Sequence, residues 1–222
     1  MADYVIIGGH GKVALRAVPL LVEAGHTVTS VIRNPEHVQE VEATGATALV
    51  LDIENATVND FAEIFVNKDA VIWSAGAGGG SPQRTYAVDR DAARRSIDAA
   101  RHAGVARYVM VSYAGASLEH GIPEDHSFFP YAQSKAEADA YLRDSGLDYT
   151  ILGPGKLTLE EPTGRVRIDD GTPAQNENDG RDTSRGNVAA SILVALEEDA
   201  TIGKTINYYD GDTDLREAFA AL

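Results

Sequence analysis

The chain has 222 residues, 44% hydrophobic and 24% charged, which is the balance of one globular domain and excludes a disordered chain. It contains no cysteine, so disulfides, thiolate nucleophiles and cysteine-ligated metal clusters are excluded. Lys plus Arg total 19 against 34 Asp plus Glu; the formal charge of −15 repels nucleic-acid backbones and anionic lipid.

The chain starts Met-Ala-Asp-Tyr, without the basic start and long apolar core of a signal peptide. No apolar stretch is long enough to span a bilayer. The expectation is a cytoplasmic protein, monomer or homodimer, that acts on a small-molecule substrate and binds neither nucleic acid nor membrane.

Tyr4–Ile7 is a short apolar run stopped by Gly8-Gly9, the pattern of a buried strand. Val13 to Ala24 carries apolar residues at helical spacing, with Gly25 as its stop. Thr27–Ile32 predicts a second strand, Asn34-Pro35 the start of a short helix ending near Gly45, and Ala48–Leu51 a third strand. Asn59–Phe65 predicts a helix, Ala70–Trp73 a strand, and Tyr86–His102 a long helix stopped by Gly104. Tyr108–Val111, a helix over Tyr131–Leu142 and a strand over Tyr149–Leu152 follow. The last third reads as a short strand over Arg165–Ile168, a polar loop from Gly171 to Arg181, a helix capped by Ser184, a strand over Thr205–Tyr209 and a terminal helix after Asp212. Strands alternate with helices and are apolar on both faces, which predicts an α/β fold with a parallel sheet covered on both sides.

The first strand runs into Gly8-Gly9-His10-Gly11-Lys12-Val13-Ala14. Glycines in a strand-to-helix turn let backbone approach a pyrophosphate, and the following helix supplies free amides and a positive dipole end. The spacing, G-x-x-G-x-x-A, gains its meaning from that position. Arg33 ends the second strand, where an NAD site usually carries an acid, and no acid follows until Glu36. Arg33, supported by Lys12, can pair with a ribose 2′-phosphate or be a solvated strand end; the charge favours NADP(H) over NAD(H). Asp52 can meet an adenine amino group or cap the next turn. Ser74-Ala75-Gly76-Ala77 supplies small residues beneath a cofactor, and Gly78-Gly79-Gly80 extends that turn.

Tyr131 and Lys135 are four apart on a predicted helix, so they share a face. An ammonium near a phenol is expected to lower its pKa below about 10 and let it exchange a proton with a carbonyl or hydroxyl. Glu119, His120, Glu124, Asp125 and His126 crowd the preceding loop without a metal-ligand spacing and read as a solvated lid; no metal is expected. Asp169-Asp170-Gly171 and Asn176–Gly180 lack the spacing of calcium loops.

These pieces together resemble an atypical short-chain dehydrogenase/reductase, one of the compact NAD(P)H-binding proteins labelled sugar epimerase-like, NmrA-like or biliverdin/flavin reductase-like. The resemblance rests on Val5–Val13, Val31–Pro35, Ile97–Ala100, Ser145–Ile151 and Thr183–Arg185, and covers almost the whole chain. It implies a Rossmann-type doubly wound sheet of about seven strands. The chain is then a single domain, with a dinucleotide-binding core over 1–155 and a substrate-side and C-terminal segment over 156–222. The implied cofactor contacts are Gly8, Gly9, His10, Gly11, Lys12, Val13, Arg33, Asp52, Ile53, Ala75, Gly76, Ala77, Lys135, Pro154 and Gly155. The implied catalytic residues are Tyr131, Lys135 and Ser112. The sequence departs from the family at Gly153-Pro154-Gly155, where Arg-Pro-Gly is usual, and at Ser112-Tyr113-Ala114, where the hydroxyl for the substrate oxygen falls one or two residues later. The expected function is an NADP(H)-dependent oxidoreductase or epimerase-like enzyme. A non-catalytic NAD(P)H sensor, or a flavin or quinone reductase without tyrosine acid catalysis, is the alternative.

Overall fold

The computed structural model describes residues 1–78, 81–171 and 180–222. Gly79, Gly80 and most of the calcium-like stretch from Asn176 lie outside the described residues. Seven parallel strands form the body of one sheet: β1 (Asp3–Ile7), β2 (Thr27–Ile32), β3 (Thr47–Val50), β4 (Ala70–Trp73), β5 (Arg107–Val111), β6 (Asp148–Pro154) and, near the chain end, β10 (Lys204–Asp210). Their spatial order is β3-β2-β1-β4-β5-β6-β10. The strand order therefore reverses between β1 and β4, and a ligand crevice opens at the strand ends there. β8 (Arg165–Ile168) and β11 (Thr213–Asp214) extend the β10 edge antiparallel. Lys156–Thr158 (β7) and Asp182–Ser184 (β9) form a separate two-stranded parallel sheet that the sequence did not reveal.

Alternate residues of each strand feed opposite faces, as the two-residue strand period requires. Tyr4 and Ile6 pack with Val18, Leu21, Ile192 and Phe219 on one face, under α1 (Ala14–Glu23), α7 (Arg185–Glu197) and α8 (Leu215–Ala220). Val5 and Ile7 pack with Phe61, Phe65, Ile97 and Leu142 on the other, under α3 (Val58–Phe65), α5 (Ala93–Ala103) and α6 (Phe129–Arg143). The short α2 (Val38–Glu42) follows a tight turn over Pro35–His37. Among the described residues no helix is long and apolar enough to cross a membrane.

The long helix expected from Tyr86 starts earlier. Ser81 caps α4 (Pro82–Thr85), accepting from the Arg84 amide, and Tyr86–Ala92 continues into α5 as a π-helical turn. A π turn widens the helix and is common at functional sites. Here it lies beside the end of β4 and buries Val88, Asp89 and Ala92.

Candidate functional site

The glycine loop is shaped by close packing. Gly8 has φ +87°, and a Cβ there would lie 2.7 Å from Ala75 Cα. A Cβ on Gly9 would lie 2.6 Å from Ser30 Cβ, and one on Gly11 would lie 3.0 Å from the Gly8 carbonyl oxygen. The Gly8 and Gly9 amides both donate to the Val31 carbonyl, at 3.1 and 2.9 Å, which ties the loop to β2. The Leu15 amide donates to the Gly11 carbonyl and the Arg16 and Ala17 amides to that of Val13, so the loop winds into the first turn of α1 and sits at the positive end of the helix dipole. A cleft of about 290 Å³ opens beside it, lined by Gly8, His10, Gly11, Ile32, Arg33, Leu51, Ile53, Glu54, Ser74, Ala75, Gly76 and Arg84, among others. A cradle that a Cβ would fill, at the positive end of a helix, fits a pyrophosphate.

Not every expected cofactor residue lines this cleft. Gly9 and Val13 are buried, and Val13 belongs to the core beneath the loop. Lys12 is exposed and off the cleft wall. Its carbonyl accepts from Arg16 Nη1 at 2.7 Å. Asp52 is exposed and acts as a turn cap, accepting from the Glu54 amide at 3.2 Å and from Asn55 Nδ2 at 2.6 Å, so Leu51 and Ile53 line the cleft in its place. The sequence offered no acid near Arg33 before Glu36. Glu36 is taken up in the Asn34 cap, whereas Glu54 arrives from the end of β3 and pairs with Arg33 at 3.1 Å. Glu54 also pairs with Arg84 at 2.7 Å, and Arg84 Nη1 donates to the Ala77 carbonyl at 3.1 Å. Neither Glu54 nor Arg84 is legible from the sequence, because each partner comes from a different element.

Tyr131, Lys135 and Asp139 repeat every four residues and form one stripe on α6. Lys135 is buried, with Nζ 3.2 Å from Asp89 Oδ1 and within 3.3 and 3.5 Å of the Val111 and Ala75 carbonyls. Asp89 is buried too, and its Oδ2 accepts from the Ala77 amide at 2.9 Å. The π turn thus gives the lysine a partner that also fixes the loop after β4. Burial pushes the Lys135 ammonium down, but Asp89, Tyr131 and Asp139 outweigh it and hold the pKa above its ordinary value.

The phenol of Tyr131 behaves opposite to the expectation. Burial raises its pKa, Lys135 opposes that, and Asp89 and Asp139 add to it; the net shift is upward. Lys135 Nζ lies 5.9 Å from the Tyr131 ring centroid, and its charge is shared with Asp89. Ser112 is buried at the end of β5, and its Oγ donates to Asp139 Oδ2 at 2.6 Å. Asp139 is itself buried, and burial pushes its pKa up to about 6 against the Ser112 bond, Lys135 and Arg143. Its other oxygen, Oδ1, has no hydrogen-bond partner among the described residues.

Beyond Tyr131 the site becomes aromatic. Tyr113, Phe128 and Tyr131 form a triangle with ring centroids 5.3–5.7 Å apart. A cavity of about 590 Å³ is lined by these rings with Ser112, Pro154, Gly155, Leu157, Arg181 and Tyr209, among others. Pro154 and Gly155 therefore lie on its wall, away from the glycine-loop cleft. A second cavity of about 580 Å³ lies between Ala77, Asp89 and the 124–131 segment. The His120 ring accepts from the Ile122 amide at 3.0 Å and faces Gln133 Oε1 at 3.1 Å, and His126 accepts from the Phe128 amide. Among the described residues no three His, Cys, Asp or Glu side chains converge on a metal position.

Residues 8–199 match the family described as NAD(P)H-binding. The chain is 33% identical to a Bacillus subtilis protein named as an uncharacterised sugar epimerase, YhfK, covering 98% of both chains. A Bacillus halodurans structure described as a candidate NAD-dependent epimerase/dehydratase is 31% identical, covers 100% of both chains and superposes with a TM-score of 0.88. The Lactococcus lactis oxidoreductase ylbE is 29% identical, with a TM-score of 0.84 over 99% of this chain and 96% of its own. The fold is that of the NAD(P)-binding epimerases and reductases, and this chain belongs to the NAD(P)H-binding family.

Proposed function

We propose that the protein is an NADP(H)-dependent oxidoreductase or epimerase-like enzyme acting on a small molecule that carries a carbonyl or hydroxyl group. The observation that carries this reading is the placement of Lys135. Its ammonium reaches the carbonyls of Ala75, on the cleft floor, and Val111, one residue before Ser112, while its neighbour Tyr131 lines the aromatic cavity. One charge thus lies between the cleft that would hold a cofactor and the cavity that Tyr131 lines. A bound nicotinamide supplies hydride chemistry, which no side chain can. Tyr131 holds the proton at its phenol oxygen, Lys135 and Asp89 hold the surrounding charge, and the aromatic triangle walls the cavity. Arg33 supports NADP(H) as the preferred cofactor. The relatives named as an epimerase and an oxidoreductase support the reaction class. Residues 156–222, which supply Leu157, Arg181 and Tyr209 to the cavity, form the substrate side of a single domain.

A specific observation favours a second reading. Ser112 Oγ donates its hydrogen bond to Asp139, so it does not offer a donor to a substrate carbonyl in this arrangement. A flavin or quinone reductase needs no such donor. The deciding experiment is NADPH oxidation against sugars, aldehydes, quinones and flavins by wild type and Tyr131→Phe. A fall in kcat of about 10²–10⁴-fold, with cofactor affinity unchanged, supports the acid–base enzyme. Equal turnover of flavin or quinone by both chains supports the second reading. Tight NADPH binding without turnover of any compound makes the protein a sensor.

A further inference from the structure

At the Arg33 end of the cleft, one carboxylate sits between two guanidiniums. Glu54 Oε1 lies 3.1 Å from Arg33 Nη1 and 2.7 Å from Arg84 Nε. Three elements converge here: the end of β2, the turn after β3 and the start of α4. The backbone of Glu54 is pinned on both sides. Its amide donates to Asp52, and the Arg95 guanidinium donates to the carbonyls of Ile53, Glu54 and Ala56 at 3.1, 3.0 and 2.8 Å. The turn is therefore fixed, and the side chain is the part able to move. Its carboxylate is 26% exposed, so water reaches it and exchange is open.

We propose that Glu54 holds the place of the NADP(H) 2′-phosphate, with Arg84 as the second cation of its seat. This rests on the reading that Arg33 receives the adenosine ribose. A carboxylate between two guanidiniums is a stand-in for a phosphate: both are planar-donor acceptors, and arginine forks suit either. The bridge leaves one net positive charge among the three groups. A phosphate dianion displaces Glu54 and takes both guanidiniums, at the cost of the two ion pairs it breaks. NAD(H) has no charge to exchange. With it bound, Glu54 keeps its arginines and its free lone pairs accept the ribose 2′-hydroxyl, as an acid at this end of a dinucleotide site does. Glu54 thus sets how strongly the chain discriminates between the two cofactors, and it acts against the preference that Arg33 supplies.

The test is fluorescence titration of NADPH and NADH into wild type, Glu54→Gln, Glu54→Asp, Arg84→Ala and Arg33→Ala. The fragments 2′,5′-ADP and 5′-AMP serve as displacing probes. Glu54→Gln should tighten NADPH and 2′,5′-ADP by about tenfold, the worth of one charge-assisted bond, and weaken NADH severalfold. Glu54→Asp keeps the charge but shortens the reach, so part of the NADPH gain should persist; this separates exchange from a general change of field. Arg84→Ala should weaken NADPH about tenfold and leave NADH within about twofold. Weaker NADPH binding by Glu54→Gln overturns the proposal, since Glu54 would then organise the arginines and not compete for them. Unchanged NADPH binding by Arg84→Ala overturns it as well. If Arg33→Ala weakens NADPH while the other variants match wild type, the exchange fails and the cofactor reading stands. If Arg33→Ala changes neither cofactor, both fail.

Discussion

Asp89 and Lys135 face each other at 3.2 Å with 0% and 5% of their side chains exposed, so neither charge has water to fall back on. Removing one partner strands the other, which typically costs about 3–5 kcal/mol, whereas removing both costs less. Urea denaturation of Asp89→Leu, Lys135→Met and the double variant should therefore show a double loss well below the sum of the singles. Additive losses would mean that the two groups do not share their charge. Tyr131 makes a second prediction. Burial holds its phenol above the ordinary value, so it stays protonated through the neutral range, the form that the proposed carbonyl reduction would require of its donor. Reduction rates should stay flat from pH 7 to 9, with the tyrosine limb beyond about pH 10 and absent in Tyr131→Phe. A tyrosine-dependent midpoint near pH 8 would show that Lys135 overrides burial.

On helix α6 the four-residue stripe runs on from Tyr131 and Lys135 to Asp139, the carboxyl that burial pushes to about 6 from 3.8. Its folded pKa is raised, so the stability it contributes is whole below about pH 4 and is lost as pH rises through about 6. The loss approaches roughly 3 kcal/mol by pH 7. Asp139→Asn removes the proton exchange, so its stability relative to wild type should climb by up to that amount between pH 4 and 7. A difference that stays constant with pH would show that Asp139 does not titrate in this window. The glycine loop is a second element with a clear test. A Gly11→Val side chain starts 3.0 Å from the Gly8 carbonyl and fills the cradle, so dinucleotide binding should vanish from titration while the far-ultraviolet circular dichroism stays native. Native-like NADPH affinity would remove the loop from the site.

Across the whole molecule, Arg107 joins parts that are far apart in sequence. Its guanidinium donates to the Asp148 carbonyl, Thr150, the Ala195 carbonyl and Thr201, linking β5, β6 and α7 with the turn before β10. Burial pushes its pKa down to about 10, yet it remains charged at neutral pH. Arg107→Met should cost about 2–4 kcal/mol in thermal or urea unfolding, since two carbonyls and two hydroxyls lose a charged donor together. A loss under about 1 kcal/mol would mean that water replaces the guanidinium. Such links explain what the sequence disclosed. Strands such as Val5–Ile7 and Val71–Trp73 are legible because a buried parallel strand has to be apolar on both faces. Lys156–Thr158 is three residues with no period, and it is a strand only because Asp182–Ser184 comes back beside it. The π turn leaves no mark in Tyr86–Ala92, so Asp89 could not be aimed from sequence. Tyr131 and Lys135 were readable from local spacing, and Asp139 was available from the same spacing. Asp52 was readable as a turn cap, one of its two sequence readings; Glu54 and Arg84 were not, because their roles depend on which turn and which helix end meet Arg33.

Gly155 carries a mechanical consequence. A side chain there would collide with the Arg181 carbonyl and the Tyr209 ring, so backbone is seated directly on backbone. Its amide is shared between the Tyr208 carbonyl and Thr183 Oγ1, and the next amide donates to Arg181. Ser184 and Asn187 then grip the two oxygens of Asp210. The small β7–β9 sheet is in this way riveted to β10 at several points within a few residues. A hinge needs a stretch of chain whose torsions can turn without breaking bonds, and this seam has none. The wall built on Gly155, Leu157 and Tyr209 therefore moves with the main sheet as one body, and on the reading proposed above a substrate meets this side of the cavity with its shape already set.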